Sequence, residues 1–581
     1  MTSLLRALAL TASLGLLAPP VVAAPAADPG LSAKTSERRP ASGWGRTFSG
    51  AYLAGRHAER QFDLRSAADQ LERALAYDPD NLELVQRVFL LRLSDGRFDD
   101  ALPLAERLIS EEQGLTLALL RVATEHVREG RPAEAHRLVE TIPPLRYNAA
   151  LRPLLMAWLT LPQEGPDAAL AALESGTDQR GFQRLLTLHR GLINDVADRP
   201  DAAATAYEEL LSDGIEPSLR VVQIIADFLE RHGKAERGEE LREAYRRAQP
   251  QSTVLMPSRP AGADAPAPIV ADAPGGVAEA LFNVAGAYYD DRELAMALVH
   301  ARLAEGVRPG YAMSTLLIGE ILEIQKRHAE AHALYSAIVG SSPFAAALTV
   351  RVARSLDQLD RTDDAVGTLE TFASEAETGR IDAYLALGHI LRGRERFGEA
   401  VAAYDRAVAQ VGTLEPHHWG LVYARGIALE RSGQWDRAQA DLEQALELSP
   451  DQPYVLNYLG YSWLDRGENL EEAERLVRRA AELRPDDGFI ADSVGWAYYV
   501  TGRYEEAVTE LERAVQLEPG DPTINEHLGD AYWKVGRRIE ARFQWSHALR
   551  MDPDDKRISK IETKLRCGLD GCSVRAAQGG G

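Results

Sequence analysis

A period of about 34 residues runs through most of this 581-residue chain and is clearest in its C-terminal half. Glycine recurs at one phase of the period, at Gly388, Gly426, Gly460, Gly495 and Gly529. Two alanines follow each glycine at nearly constant distances, at Ala400 and Ala407, Ala438 and Ala445, Ala473 and Ala480, Ala507 and Ala514, and Ala541 and Ala548. The last four repeats end at Pro450, Pro485, Pro519 and Pro553. Such a period predicts a repeat array in which each unit buries its apolar face against its neighbours.

Small residues at these positions predict pairs of closely packed antiparallel helices. A glycine on the first helix and alanines on the second allow the two axes to approach to roughly 8–10 Å. Proline ends the second helix because it lacks an N–H and clashes with the preceding turn. The bulky apolar residue between the two alanines is expected to fill the space between neighbouring pairs, and these residues are Tyr404, Leu442, Val477, Leu511 and Trp545. The expected fold class is an all-α solenoid of helix–turn–helix units.

The repeats fall into two blocks. Weaker copies of the period lie upstream, and they predict about six units in 48–250 and about eight in 278–555. The segment 251–277 is rich in proline and alanine and lacks an apolar helical stripe, so it predicts a flexible linker. Residues 556–581 are expected to form a C-terminal tail.

The first 26 residues have the pattern of an export signal. Arg6 precedes an apolar run over 8–18, and small residues follow up to Ala26. Cleavage is expected after Ala26, with Ala24 as the second choice. The apolar run is shorter than the roughly 20 residues that span a bilayer, so an uncleaved anchor is not expected. The sequence therefore predicts a periplasmic protein with a disordered segment over 27–47.

The net charge of the chain is −22, and its acidic residues are spread through helical stretches. No stripe of lysine and arginine with interleaved aromatic residues is present, which argues against nucleic acid as a partner. The same charge disfavours docking the chain flat on anionic lipid. Protein partners remain as the expected class.

The only cysteines are Cys567 and Cys572. In an oxidising compartment they are expected to form a disulfide, which would restrain the tail by about 2 kcal/mol at most. Neither has further cysteine or histidine ligands nearby, so a zinc site is not expected.

The spacing of glycine, alanine and proline resembles the tetratricopeptide repeat (TPR). This resemblance implies a right-handed superhelix in which the first helix of each unit lines a concave groove. In the last three repeats the corresponding groove residues are Tyr454, Asn457, Tyr461, Leu464, Asp492, Trp496, Tyr499, Glu526, Asp530 and Trp533. Aromatic rings and carboxylates suit an extended protein segment, whereas a groove that grips a C-terminal carboxylate needs lysine and arginine. The alternative interpretation is that these aromatic residues pack against neighbouring repeats.

No constellation in the sequence predicts an enzyme, a cofactor or a metal. His328 and His332 are one helical turn apart, but the catalytic glutamate of a zinc peptidase would have to follow the first histidine, where Ala329 stands. An exposed pair of histidines is therefore the favoured interpretation. His417 and His418 likewise indicate a surface turn rather than a metal site.

Residues 454–569 more closely resemble a family of periplasmic TPR adaptors that includes lipoprotein partners of carboxyl-terminal processing proteases. The resemblance is carried by Asn457-Tyr458-Leu459-Gly460-Tyr461, by Asp492-Ser493-Val494-Gly495-Trp496-Ala497-Tyr498 and by His527-Leu528-Gly529-Asp530-Ala531-Tyr532-Trp533. It implies an adaptor that binds a client, a protease or a cell-wall hydrolase through the groove. The lipid-attachment cysteine of the lipoprotein members is missing here. The alternative function is a structural part of an envelope assembly or polysaccharide export complex.

Overall fold

A computed structural model describes residues 47–111, 115–174, 182–248, 268–340, 344–375, 380–551 and 555–569. Within these ranges the secondary structure is helical and contains no strand, which confirms the all-α fold class. The predicted signal peptide, the segment 27–46, the linker residues up to 267 and Cys572 lie outside the described residues. Those predictions stay predictions.

The chain divides into two compact units between Ala386 and Leu387. The helices of the first unit are α1 (Phe48–Arg60), α2 (Leu64–Leu75), α3 (Leu82–Ser94), α4 (Phe98–Ser110), α5 (Thr116–Arg128), α6 (Pro132–Glu140), α7 (Asn148–Glu164), α8 (Pro166–Glu174), α9 (Gln183–Val196), α10 (Pro200–Ser212), α11 (Leu219–Arg231), α12 (Ala235–Ala248), α13 (Ala273–Asp290), α14 (Leu294–Val307), α15 (Ala312–Ile324), α16 (His328–Ile338), α17 (Ala345–Gln358) and α18 (Thr362–Glu375).

The division falls inside α19 (Arg380–Gly393). The helices of the second unit are α20 (Phe397–Val411), α21 (Trp419–Arg431), α22 (Trp435–Leu448), α23 (Pro453–Arg466), α24 (Leu470–Leu483), α25 (Gly488–Val500), α26 (Tyr504–Leu517), α27 (Pro522–Lys534), α28 (Arg538–Leu549) and α29 (Asp555–Cys567). A short 3₁₀ turn at Pro416–His418 precedes α21. The residues expected to form a tail after 555 thus include a further helix, α29.

Consecutive helices pack as pairs, with an odd-numbered first helix and an even-numbered second helix. Among the described helices, six pairs precede the proline- and alanine-rich segment and eight follow it, and α29 comes last. The division of the compact units at Ala386 differs from the sequence-based division at 251–277. The reason is that α13 and α14 belong to the core of the first unit. Because α13 begins at Ala273, the prediction of a flexible linker is wrong for 273–277.

The repeated glycine of each pair faces the bulky residue of the same pair. A Cβ atom added to Gly495 would lie 2.6 Å from Leu511, and one added to Gly529 would lie 2.5 Å from the Trp545 ring. The bulky residues sit at the crossing of their own pair, because the missing side chain of the glycine leaves room there. Leu442 and Leu511 also belong to apolar cores that include the following pair.

The hairpin α13–α14 packs across the first helices of the preceding pairs. Helix α13 contacts α7 and α9, and α14 contacts α3 and α5. Gly276 on α13 lies directly against the ring of Trp158 on α7, with no room for a side chain. Helix α13 is buried along most of its length because apolar and small residues occupy every side of it.

A buried ion pair fixes this hairpin. Arg220 on α11 donates to Glu279 on α13, with 3.0 Å between Nε and Oε1, and both residues are at most 5% exposed. The hydroxyl of Tyr311 donates to the other carboxylate oxygen at 2.7 Å. Burial raises the pKa of Glu279, but the Arg220 charge outweighs it and lowers the pKa to about 2. The carboxylate therefore stays ionised and holds α11, α13 and α15 together.

Candidate functional site

The expected groove residues lie on three first helices of the second unit. Helix α23 carries Tyr454, Asn457 and Tyr461, and it packs beside α25, which packs beside α27. We call the surface that the groove residues form the inner face of the second unit. The structure therefore brings these residues onto neighbouring helices, but it gives them different environments.

Two residues of α23 stand apart from the rest of the inner face. Leu464 is buried in the core of the second unit and offers no surface to a ligand. Tyr454 is partly exposed, and the guanidinium group of Arg484 lies 5.5 Å from the centroid of its ring. Neither residue shares a hydrogen bond or a ring contact with α25 or α27 in the described part of the chain.

The carboxylates of this face are buried and bonded within the chain. Asp492, Glu526 and Asp530 are each at most 5% exposed. Asp492 accepts from the Nδ1 atom of His527 at 3.0 Å, and Asp530 accepts from the indole N–H of Trp545 at 2.9 Å. A carboxylate that already has buried partners is not available to a ligand without breaking those bonds.

Helix α29 supplies the cations for the last repeat. The Nζ atom of Lys564 lies 2.6 Å from both Glu526 and Asp530, and Arg557 Nη1 lies 2.7 Å from Glu526. Burial raises the pKa of Glu526, but Lys564 and Arg557 together bring it below its usual value. At Asp530 the effect of burial on the pKa is larger than the opposing effect of Lys564, so the pKa of this carboxyl group is raised. The chain's own C-terminal helix thus occupies the acidic end of the inner face.

Trp533 is also used for internal packing. Its ring touches Gly568, which has a left-handed backbone with φ +69° and no room for a side chain. The Trp545 ring centroid lies 5.4 Å away on another side. Guanidinium groups of Arg538 and Arg542 lie 5.1 and 5.7 Å from its centroid. These contacts match the alternative interpretation that an aromatic residue of a repeat packs against its neighbours.

A stack of three rings crosses α25 and α27. Trp496 lies parallel to Tyr499 with 4.7 Å between ring centroids, and it covers His527 at 4.0 Å. Tyr461 of α23 approaches the same imidazole at 6.4 Å. Trp496, Tyr499 and Tyr461 are partly exposed. We call Tyr461, Trp496, Tyr499 and His527 the aromatic cluster.

The charge of the cluster is set by Asp492. Burial lowers the pKa of His527, but the neighbouring Asp492 carboxylate outweighs burial and the pKa is raised. The imidazole therefore holds a proton more readily than an exposed histidine. A protonated imidazole beneath an indole face is a favourable cation–π arrangement.

Two polar atoms beside the cluster lack partners within the described chain. The indole N–H of Trp496 and the side-chain oxygen of Asn457 are buried and make no hydrogen bond to the described residues. Buried polar groups are nearly always satisfied in folded proteins. Both atoms are enclosed by the surrounding side chains, so a partner reaches them only if the neighbouring rings move.

Sequence reasoning misses His527 and the cations of α29. His527 stands next to Glu526, but it lies one position outside the spacing that selects groove residues. Its distance from Asp492, one repeat plus one residue, is the signal that could have found it. The basic residues of α29 escape notice because the sequence predicts a tail in that segment.

Other features of the sequence carry no site. The Nδ1 atom of His332 lies 3.1 Å from the Ser355 hydroxyl, and the structure gives His328 and His332 no shared ligand set. Across the described ranges, no three histidine, cysteine or acidic side chains are grouped as a metal site would require. Cys567 at the end of α29 takes part in a disulfide. Among the described helices, none combines the length and the apolar character needed to cross a membrane.

Comparison with known proteins identifies the repeats. Residues 387–456 match a family described as tetratricopeptide repeat, and residues 495–536 match one described as TPR repeat. The chain is similar to the TPR repeat-containing protein PA4667 of Pseudomonas aeruginosa, with 26% identity over 190 residues. That alignment covers 33% of this chain and only 31% of the relative.

Solved structures show a likeness in fold alone. A MamA structure (MSR-1) is 24% identical with a TM-score of 0.25, and the alignment covers 30% of this chain and 97% of that one. MamA from Desulfovibrio magneticus RS-1 is 19% identical with a TM-score of 0.27, covering 30% and 97%. The structure of the APC/C hetero-tetramer Cut9-Hcn1 is 13% identical with a TM-score of 0.37, covering 90% and 96%.

The repeated glycine–alanine spacing, the helix pairs that it produces and the two family matches together identify tetratricopeptide repeats in this chain.

Proposed function

We propose that this protein is a periplasmic adaptor that binds an extended segment of a partner protein over the aromatic cluster. TPR arrays are protein-binding scaffolds and are generally not catalytic. One observation carries the choice of surface: the rings of Tyr461, Trp496 and Tyr499 are grouped around His527 and are partly exposed. The neighbouring carboxylates are already occupied by His527, Trp545 and α29.

The chemistry of the cluster favours an apolar or aromatic segment over a strongly charged one. Flat rings bury large areas at low entropic cost when an apolar segment covers them. Asp492 is neutralised locally by His527, so it offers little attraction to a basic ligand. The partner we propose is a client, a protease or a cell-wall hydrolase of the envelope.

The first unit differs from the second at the corresponding surface. The first helices α3, α5, α7 and α9 are covered there by α13 and α14. This packing supports the assignment of partner binding to the second unit.

The test is affinity purification from periplasmic extract with quantitative mass spectrometry. We expect the double variant Tyr461→Ala/Tyr499→Ala to lose its partner by more than about tenfold, because central aromatic residues dominate protein interfaces. The matched control is Trp435→Ala, which removes a partly exposed ring from the start of α22, outside the cluster. Equal recovery of partners by wild type and by the cluster variant would refute the site.

The proposed periplasmic location can be tested separately. N-terminal sequencing of the protein recovered from a periplasmic fraction should begin at Ala27, the residue after the predicted cut. Recovery of uncleaved protein in the cytoplasm would refute the periplasmic role. Recovery only in a stable membrane complex would instead favour a structural part of an envelope assembly.

A further inference from the structure

The outer side of α28 exposes two large apolar side chains. Ile539 is 84% exposed and Phe543 is 61% exposed. They are four residues apart, so they lie on the same side of the helix one turn apart. Ala541, Trp545 and Ala548 face the core instead. End repeats of solenoids normally need a polar outer surface, and here Ile539 and Phe543 interrupt it.

Two arginines flank these side chains without acidic partners. Arg538 and Arg542 are held near the Trp533 ring, as described above. Neither of them forms an ion pair with any carboxylate in the described part of the chain. Most arginines of this protein are paired with carboxylates, so two unpaired guanidinium groups beside exposed apolar residues are unusual here.

The charge of this region is opposite to that of the whole chain. Residues 534–566 contain ten lysines and arginines against five acidic residues, whereas the net charge of the chain is −22. Mobile ions screen charges beyond about 8 Å at physiological salt. Within that distance Glu512, Glu526 and Asp530 pair with Arg537, Arg557 and Lys564. The unpaired positive charge of α28 is therefore that of Arg538 and Arg542.

We propose that the outer face of α28 docks the protein on an anionic phospholipid surface. Ile539 and Phe543 enter the headgroup region, and Arg538 and Arg542 contact lipid phosphates. Basic helices that carry aromatic and aliphatic residues bind membrane interfaces in this way. The net negative charge of the chain disfavours docking it flat on anionic lipid. Docking through α28 alone brings only this locally basic face to the lipid.

A membrane fits this face better than a protein does. Stable protein interfaces bury about 800 Å² on each partner with good shape complementarity, and two side chains fall far short of that area. A lipid surface needs no complementary shape. Each lysine or arginine near an anionic membrane strengthens binding by roughly fivefold, so a few residues suffice.

The test is co-sedimentation of the full-length protein with vesicles. Vesicles of phosphatidylglycerol and phosphatidylcholine should bind the protein, vesicles of phosphatidylcholine alone should not, and added salt should release it. The variants Ile539→Ser/Phe543→Ser and Arg538→Gln/Arg542→Gln should each weaken binding by about tenfold or more.

Matched controls separate this face from the rest of the surface. Leu53→Ser removes a side chain that is 66% exposed on α1, and Arg478→Gln removes a largely exposed charge on α24. Both should bind vesicles as the wild type does. Circular dichroism should show unchanged helicity in all variants, because none of the four residues on α28 is buried.

Three outcomes would overturn the proposal. They are absence of binding to anionic vesicles at low salt, equal binding to both kinds of vesicle, and binding that survives both double variants. Self-association that depends on Phe543 without vesicle binding would make the face a protein interface and would also refute the proposal. All these outcomes are independent of the aromatic cluster, so they leave the proposed function untouched.

Discussion

At the scale of single residues, each helix pair depends on a glycine that faces a bulky side chain. Gly319 on α15 lies against the ring of Tyr335 on α16, where an added Cβ would collide with the ring. Gly367 on α18 occupies open space, with no atom within 4 Å of an added Cβ. The same substitution at these two glycines should therefore have opposite effects on the free energy of unfolding.

We expect Gly319→Ala to destabilise the first unit by about 2–3 kcal/mol, because the buried tyrosine has nowhere to move. Gly367→Ala should stabilise it by roughly 0.5–1 kcal/mol through helix propensity alone. Urea denaturation followed by circular dichroism measures both. Similar destabilisation by the two variants would contradict the role given to the helix crossing.

Two buried histidines predict acid sensitivity of the first unit. Burial lowers the pKa of His189 and the pKa of His300 from 6.5 to about 4. Below pH 6.5 the unfolded chain takes up protons on these histidines while the folded chain does not, so stability falls as the pH falls. The loss becomes complete only below the folded pKa of about 4 and amounts to about 3 kcal/mol for each histidine.

The measurement is the urea midpoint of the full chain at a series of pH values from about 7 to about 4, which spans the titration of both states. His300→Leu should flatten the part of the pH dependence that this histidine contributes. His57→Leu, which changes an exposed histidine on α1, is the control and should leave the curve unchanged. A wild-type midpoint that is constant over this range would contradict the assignment.

At the scale of elements, ion pairs between the cations of α29 and the carboxylates of the inner face hold α29 in place. Lys564 bridges Glu526 and Asp530, and Ile561 beside it on α29 is fully buried. Lys560 lies on the exposed side of the same helix. The two lysines therefore form a matched pair for testing how α29 docks.

We expect Lys564→Glu to release α29 from α27, because it leaves three carboxylates together in a buried place. Breaking a buried ion pair of this kind costs about 3–5 kcal/mol. Hydrogen exchange should show loss of protection in α29 and at the end of α27, whereas Lys560→Glu should leave protection unchanged. Retained protection in Lys564→Glu would mean that apolar contacts alone hold the helix.

The helix pairs could be predicted from the sequence because each pair is encoded locally. The glycine, the alanines and the proline of one repeat act on helices that follow each other in the chain. Contacts between distant elements leave no such period. The packing of α13 against Trp158 and the pairing of Lys564 with Glu526 depend on single residues far apart in sequence.

The candidate site is predictable only in part for the same reason. The spacing selects Tyr461, Asp492 and Trp496, and the structure has them on neighbouring first helices. The spacing does not show which of the selected side chains already have partners, because Glu526 is bonded by α29 and the Trp533 ring is contacted by Gly568. Those residues follow the last recognisable repeat.

At the scale of the whole molecule, the first unit is closed by a hairpin from beyond the proline- and alanine-rich segment. Helices α3, α5, α7 and α9 present apolar residues that α13 and α14 cover, and Arg220 has its carboxylate partner on α13. A fragment that ends at 248 would expose this surface and leave the arginine without that partner.

We expect the fragment 47–248 to be aggregated or only partly folded when it is produced alone. The fragment 47–386 should fold cooperatively. Size-exclusion chromatography and thermal denaturation distinguish the two. A soluble, cooperative 47–248 fragment would show that the helices before the hairpin are self-sufficient.

The hairpin α13–α14 also imposes an order on biosynthesis. Repeat arrays ordinarily can fold unit by unit as they emerge, since each unit contacts only its neighbours. Here the core beneath α3, α5, α7 and α9 is completed only when the chain has emerged past Val307, because the hairpin that covers these helices ends there. Until then the nascent chain exposes an open apolar cleft, so a holding chaperone should engage it early, and release should coincide with the arrival of the hairpin.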